Sequence, residues 1–126
     1  MYAQFQTRRS AMNQLLDALP DGDYRCLEPF LKKVNLPPLY FLYKSDVAIK
    51  YVYFPITAMA SVIATTIGGQ PSEIEVMGCE GMFGVEVLMG VDSSAKEVLI
   101  QPAGGAWRIK TEEIRKEFKH DGAEGK

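Results

Sequence analysis

The chain has 126 residues, a length typical of one domain, and its composition is ordinary for a folded protein, with 47% hydrophobic and 24% charged residues. Its 14 Lys and Arg against 16 Asp and Glu give a net charge of −2, so there is no basic surplus to neutralise a nucleic-acid backbone. The only histidine, His120, excludes sites with several histidine ligands, and we expect neither a metal nor a cofactor. Two cysteines, no signal peptide and no apolar run of about 18 residues favour a cytoplasmic protein that spans no membrane.

The N-terminal third predicts two short helices. Ser10 can cap the first of them, because four apolar residues follow at helical spacing: Met12, Leu15, Leu16 and Leu19. Asp21 or Asp23 can cap the second helix. Pro29 lies inside the second pattern, lacks an N–H and crowds the preceding turn, so we expect a kink or a break there.

Residues 34–110 predict a series of short strands. The part from 34 to 55 is rich in Val, Tyr and Phe and is punctuated by prolines, which is typical of strands and turns. β-Rich runs flank the turn signal at residues 68–71, and another pair flanks residues 102–105, so we expect two hairpins. Short antiparallel strands at this spacing indicate a sandwich, roll or barrel, with the aromatic residues of 40–54 and Trp107 packed mainly in its core.

One further helix is predicted after residue 110. Thr111 can cap it, and Ile114 and Phe118, at positions i and i+4, would face inward. Arg115 and Lys116 are interpreted as ordinary solvated helix charges. The final residues, 121–126, contain no apolar side chain beyond one alanine and predict a frayed tail.

The two cysteines allow two interpretations. Cys26 follows Arg25, and a neighbouring cation can activate a thiol for redox sensing. The alternative, which we expect for both Cys26 and Cys79, is a buried and chemically inert thiol.

The stretch EGMFGVEVLMG at residues 80–90 carries most of the functional information. Gly81 and Gly84 would let backbone amides approach an anion closely. Glu86 could accept hydrogen bonds from a sugar hydroxyl, and Lys96 could supply a cation. The structural alternative is that the glycines only provide positive φ or tight packing at strand corners. Spacing alone favours this second interpretation, because glycine-rich stretches without a complete fingerprint are common.

The order of several segments resembles the sensor domain of Crp/Fnr-type bacterial transcription regulators, a branch of the cyclic-nucleotide-binding superfamily. These segments cover about residues 10–120 and are LLDALPDGDYRCLEPFLKKVNL, YVYFP, IGGQPSEIEVMG, EGMFGVEVLMG and KEVLIQPAGGAWRIKTEEIRKEF. The resemblance implies a mainly β fold with flanking helices, a jelly-roll-like β-roll or double-stranded β-helix. It also implies that residues 80–90, called the cassette segment below, occupy the place of the family's phosphate-binding cassette.

The cassette of the resembled family has the pattern F-G-E-(L/I)-(A/S). Phe83 and Gly84 match it, but Val85 is inserted before Glu86. If Glu86 takes the place of the family's Glu, Val85 takes the Gly position, where its side chain obstructs close backbone approach.

About ten residues later the family has an Arg followed by a Ser or Thr. Lys96 stands at the Arg position, where it keeps the charge and loses the bidentate fork. Glu97 stands at the Ser or Thr position, where a carboxylate repels a phosphate. The resemblance thus implies a degenerate cassette that disfavours cyclic AMP and cyclic GMP. The candidate ligand-binding residues are Phe83, Gly84, Val85, Glu86, Val87, Lys96 and Glu97.

The function that this resemblance implies is a non-catalytic regulatory sensor module that signals through a conformational shift driven by an effector or a partner. One alternative is a genuine cyclic-nucleotide-binding domain that uses Glu86 and Lys96. A second is a small cupin-type β-barrel enzyme, which the single histidine disfavours.

We expect one domain over residues 1–126. Its parts are N-terminal helices at 1–33, a β-roll at 34–110, a C-terminal helix at 111–120 and the tail at 121–126. No helix-turn-helix domain follows in this chain, so DNA contact is expected only through a domain outside it. The other expected partners are a small-molecule effector and a second copy of the chain. We expect no contact with a membrane.

Overall fold

Three α-helices and seven β-strands follow one another in the computed structural model, which describes residues 10–44, 47–65, 69, 71–91, 93 and 96–124. The first part contains α1 (Gln14–Ala18), α2 (Asp21–Leu27), a 3-10 turn (Glu28–Phe30), β1 (Lys32–Leu36), β2 (Phe41–Tyr43) and β3 (Tyr51–Pro55). The second contains β4 (Ala60–Thr65), β5 (Pro71–Met77), a 3-10 helix (Val85–Met89), β6 (Glu97–Ile100), β7 (Gly104–Lys110) and α3 (Thr111–Glu124). The buried apolar side chains of these elements form one cluster.

Helix α1 begins later than the sequence predicts. Asn13 is its N-cap, and the Asn13 side chain accepts a hydrogen bond from the Leu16 amide. Ser10 is therefore not the cap, and its hydroxyl accepts instead from the Met12 amide in a local turn. Met12 has a φ of 61° and lies before the helix, which takes it out of the helical spacing. Of the predicted apolar stripe, Leu16 is fully buried, whereas Met12 and Leu15 are exposed.

The predicted break at Pro29 is confirmed, because α2 ends at Leu27 and Pro29 lies in the 3-10 turn that follows. The predicted aspartate cap is wrong, since Pro20 takes the N-cap position and Asp21 is already helical. Cys26 on α2 is exposed and Cys79 is half-buried. The expectation of buried thiols is therefore wrong for Cys26.

The strands form two antiparallel sheets, with the strand orders β1-β7-β3 and β2-β6-β4-β5. This confirms the mainly β fold with flanking helices. The first predicted hairpin is confirmed as the β4–β5 pair. Residues 68 and 70 of its predicted turn lie outside the described residues, and Gly69 has a φ of 82°.

The second predicted hairpin is wrong, because β6 and β7 belong to different sheets. The Gly104-Gly105 pair, which resembles a turn signal, serves a close backbone approach instead. A Cβ atom on Gly104 would lie 2.5 Å from the Ala58 nitrogen. The Gly105 carbonyl accepts from the Ala58 amide at 3.2 Å, and the Gly105 amide donates to the Thr57 hydroxyl at 2.8 Å. The glycines thus pack the start of β7 against the β3–β4 connection.

Helix α3 begins at Thr111, whose hydroxyl donates to the Ile49 carbonyl while its amide donates to the Lys50 carbonyl. Ile114 is buried as predicted, but Phe118 is 44% exposed, so the prediction that it faces inward is wrong. The helix continues to residue 124 rather than 120, so the predicted tail begins with four helical residues. No helix within the described ranges is long and apolar enough to span a membrane.

Candidate ligand-binding site at the glycine-rich turn

The cassette segment is fastened to strand β3 by its backbone. The Phe83 amide donates to the Tyr53 carbonyl at 2.8 Å, and the Tyr53 amide donates to the Phe83 carbonyl at 3.1 Å. The Phe83 ring is only 2% exposed and packs in the core. Two reciprocal hydrogen bonds and a buried aromatic ring therefore fix the start of the turn.

Tyr43 of β2 also contacts the start of the cassette segment through its hydroxyl group. Its hydroxyl lies 2.6 Å from the Tyr51 carbonyl oxygen and 2.9 Å from the Phe83 carbonyl oxygen, so it can donate its proton to either. Burial raises the pKa of Tyr43 well above its ordinary value, and the nearby Tyr53 and Glu86 raise it further. The phenol therefore stays protonated and keeps its donor.

Two features of the structure require a glycine at position 84. Its φ is +97°, a conformation that side chains rarely adopt, and a Cβ atom would lie 2.7 Å from the Tyr43 hydroxyl. Gly90, at the other end of the 3-10 helix, has a φ of +87°. Both glycines thus have the positive φ that the structural interpretation predicts, and they begin and end a single short helical segment.

A small cavity of about 180 Å³ opens beside this helix, and we call it the cassette cavity. The cassette segment supplies one side and strands β4, β5 and β6 supply the other. The lining residues that come from the cassette segment are Met82, Phe83, Gly84, Val85, Glu86 and Met89. The remaining residues are Val62, Glu75, Met77, Lys96 and Val98.

The cavity has three ionisable groups among its described lining residues, the carboxylates Glu75 and Glu86 and the amine Lys96. Glu75 and Lys96 are exposed, whereas Glu86 is half-buried. Glu75 is opposite Val62 in the β4–β5 pairing, which brings its side chain to the same face of the sheet. The lining formally carries one net negative charge.

Five of the seven predicted site residues line this cavity, and two do not. Val87 is 1% exposed and packs in the core beneath the 3-10 helix. Glu97 precedes Val98 on β6, and successive side chains of a strand point to opposite faces. Because Val98 lines the cavity, Glu97 points away from it. The second carboxylate of the cavity is Glu75, which sequence comparison with the cassette pattern could not reveal because it lies on another strand.

Arg115 connects α3 to the cassette segment, a contact that the sequence analysis does not predict. The Arg115 Nε donates to the Val87 carbonyl at 3.0 Å, and its Nη2 donates to the Val91 carbonyl at 3.1 Å. The interpretation of Arg115 as an ordinary solvated charge is therefore wrong. Its partners are carbonyls 28 and 24 residues away, so no local sequence pattern could have signalled the contact.

Neither a protein-family model nor a curated protein matches the chain. Solved structures do match it, among them several at 12–15% sequence identity. A regulatory subunit of a cAMP-independent protein kinase A from Trypanosoma brucei, a triple mutant bound to cAMP, has a TM-score of 0.76 at 12% identity. The match covers 94% of this chain and 42% of that one.

Two further structures extend the comparison. The sensor domain of the transcriptional regulator DNR from Pseudomonas aeruginosa has a TM-score of 0.68 at 15% identity, with 85% of this chain and 72% of that chain covered. A regulatory subunit of a cAMP-independent protein kinase A from Trypanosoma cruzi, bound to guanosine, has a TM-score of 0.71 at 12% identity. That match covers 79% of this chain and 36% of the other.

These likenesses show the fold, that of cyclic-nucleotide-binding domains of kinase regulatory subunits and Crp/Fnr-type regulators. The chain spans less than half the length of the T. brucei kinase subunit. The jelly-roll-like β-roll predicted from the sequence is thereby confirmed.

Proposed function

We propose that this chain is a non-catalytic regulatory sensor module whose cassette cavity does not bind cyclic AMP or cyclic GMP tightly. The observation that carries the proposal is the cavity itself. It is small, Val85 forms part of its wall, and the described residues that line it include two carboxylates and a single amine. The fold of the neighbouring structures supports a regulatory role.

The size of the cavity is the first argument. Pockets for drug-sized ligands typically enclose about 300–1,000 Å³. The cassette cavity holds about 180 Å³, so a cyclic nucleotide would have to displace part of the wall. Val85 and Met89 of the 3-10 helix line this cavity and are 44% and 70% exposed.

The charge of the cavity is the second argument. A cyclic phosphate brings a negative charge to a lining that already has a formal charge of −1. Lys96 is the only cation of that described lining, and an ammonium group cannot form the bidentate fork that an Arg offers to a phosphate. Glu75 and Glu86 therefore favour a neutral or cationic ligand over a cyclic nucleotide.

A signal from this cavity has a physical route to α3. Val87 and Val91 flank the end of the cassette segment, and Arg115 holds both carbonyls from the helix. A ligand that moves Val85–Met89 therefore changes the position that α3 prefers, to the extent that it binds the two arrangements with different affinities. In a regulator of this fold, such a shift would act on a second copy of the chain or on a DNA-binding domain outside it.

The neighbouring structures support a change of ligand on this fold. The T. brucei kinase subunit is described as cAMP-independent and is bound to cAMP as a triple mutant. The T. cruzi subunit is bound to guanosine, which carries no phosphate. We propose the same kind of change here, in a cytoplasmic bacterial protein.

A matched pair of ligands and a matched pair of variants test the proposal. Calorimetry with guanosine and cyclic GMP isolates the effect of the phosphate, because the two share the base and sugar. If only guanosine binds, the phosphate, through its charge or its size, is the obstacle, and if neither binds, the cavity lacks space for the base and sugar themselves.

At cyclic GMP concentrations above about 1 mM, where weak binding becomes measurable, we expect Glu75→Gln to strengthen it about two- to fivefold, the scale of one exposed charge interaction. Glu97→Gln should have no effect, because Glu97 points away from the cavity. Low-micromolar binding of cyclic GMP that Lys96→Ala abolishes would instead support the genuine cyclic-nucleotide-binding alternative.

A further inference from the structure

A second concave surface lies where β3, β7 and α3 meet. It consists of a cavity of about 740 Å³ and a smaller one of about 170 Å³, which share Tyr51 and Lys110. Six cationic side chains line the two cavities, and we call this surface the basic face. They are Lys32, Lys50, Arg108, Lys110, Arg115 and Lys116.

The charge of the basic face contrasts with that of the whole chain. Glu112 is the single carboxylate among the described residues that line the two cavities, so the lining carries a net charge of +5, six minus one. The whole chain has a net charge of −2, which leaves −7 for the rest of the molecule. Lys116 also lies 3.9 Å from Glu113 on the same helix, a weak surface pair. Such segregation of charge creates a local positive potential on an otherwise acidic protein.

The register of the β1-β7-β3 sheet explains why the cations gather on one side. Lys32 is opposite Arg108 on β7, and Arg108 is opposite Tyr53 on β3. Directly opposed residues share a face, and so do Arg108 and Lys110, which are two positions apart on one strand. The Arg108 guanidinium lies over the Tyr51 ring, 4.3 Å from its centre, which holds it at the sheet surface.

We propose that the basic face binds a soluble anion that carries two or more phosphate groups. The larger cavity falls within the range of small-molecule sites, about 300–1,000 Å³. Lys110 lines both cavities, so the cations of the two cavities are neighbours. A single phosphate could contact only some of these cations, whereas an oligophosphate can contact cations in both cavities.

This site shares no residue with the cassette cavity and does not depend on the function proposed for it. The basic face is nevertheless connected to the cassette segment through Arg115. Arg115 lines the larger cavity and also donates to the Val87 and Val91 carbonyls of the cassette side. An anion on the basic face would therefore influence the residue that connects α3 to the cassette segment.

Calorimetry with inorganic triphosphate tests the proposal on the full chain. At about 50 mM salt we expect saturable binding with one ligand per chain, weakening at about 300 mM salt because surface charges are screened. Lys50→Ala and Lys110→Ala should each weaken it about tenfold, the loss of one charge-assisted hydrogen bond. The matched control is Lys33→Ala, an equally exposed lysine that is opposite Trp107 on the other face of the sheet.

Titration with adenosine triphosphate tests whether the basic face recognises an inorganic oligophosphate or a nucleotide. Equal affinity for both ligands would support recognition of the phosphates alone, and tighter binding of the nucleotide would add a contact with the base. Absence of saturable binding by triphosphate would overturn the proposal, as would an equal loss in Lys33→Ala. Binding of a poly-glutamate peptide without binding of triphosphate would also overturn it, and would assign the basic face to an acidic protein partner.

Discussion

The contact between Arg115 and the cassette segment makes a quantitative prediction. Replacing Arg115 by Ala removes one hydrogen bond to Val87 in a partly buried setting and one to Val91 at the surface. We assign about 1.5 kcal/mol to the first and about 0.5 kcal/mol to the second, because exposure to water and salt reduces the contribution of a charged donor. The segment should then open more easily by about 2 kcal/mol, which corresponds to about a 30-fold higher opening constant.

Hydrogen exchange of backbone amides measures this opening directly. The Gly90 amide donates to the Val87 carbonyl and the Val91 amide donates to the Glu86 carbonyl, so both report on the same turn. In Arg115→Ala we expect both to exchange about 30-fold faster, with much smaller changes in β7, because local opening does not require the sheets to separate.

Lys116→Ala is the control, since Lys116 is the neighbouring cation and its side chain is 74% exposed. Exchange at Gly90 and Val91 that changes less than about threefold in Arg115→Ala would refute the assigned role. So would an equal acceleration in Lys116→Ala, because the effect would then come from charge and not from the two hydrogen bonds.

Three further changes test the scaffold around the site. Asn13→Ala removes a buried side chain that donates to two backbone carbonyls and accepts from one amide. We therefore expect urea unfolding to show a free energy of unfolding lower by about 3 kcal/mol, and a decrease of less than about 1 kcal/mol would contradict this. Because the pKa of Tyr43 is raised on folding, the unfolded chain releases its proton first above about pH 10, and stability falls as pH rises from there. Tyr43→Phe should therefore cost about 1 kcal/mol at pH 7 and reduce the alkaline loss, and an unchanged alkaline slope would contradict the assignment. Gly84→Ala should cost about 1–2 kcal/mol, and less in a Tyr43→Phe background where the hydroxyl is absent, whereas equal costs in both backgrounds would contradict the proposed contact.

The fold could be predicted largely because its signals are local or come in a fixed order. The break at Pro29 follows from the missing N–H, and the β4–β5 hairpin follows from two β-rich runs around a glycine turn. The β6–β7 error shows where such signals fail. A Gly-Gly pair allows both a turn and a close backbone approach, and only the position of Ala58 in space distinguishes them.

The site could be predicted in part for the same reason. The cassette segment is continuous in sequence, so its position and most of its residues follow from the pattern of the resembled family. Glu75 and Arg115 could not be found in this way, because they reach the site from β5 and α3. Glu97 was assigned from its place in the pattern, but the alternation of β6 turns its side chain away from the cavity.

Calorimetric titration of the unmodified chain with cyclic AMP and cyclic GMP tests the central claim most directly. A cavity of about 180 Å³ whose described lining has two carboxylates and one amine predicts no saturable binding of either ligand up to about 1 mM, an affinity weaker than about 4 kcal/mol. A dissociation constant in the low micromolar range for either cyclic nucleotide, about 8 kcal/mol of binding free energy, would contradict it.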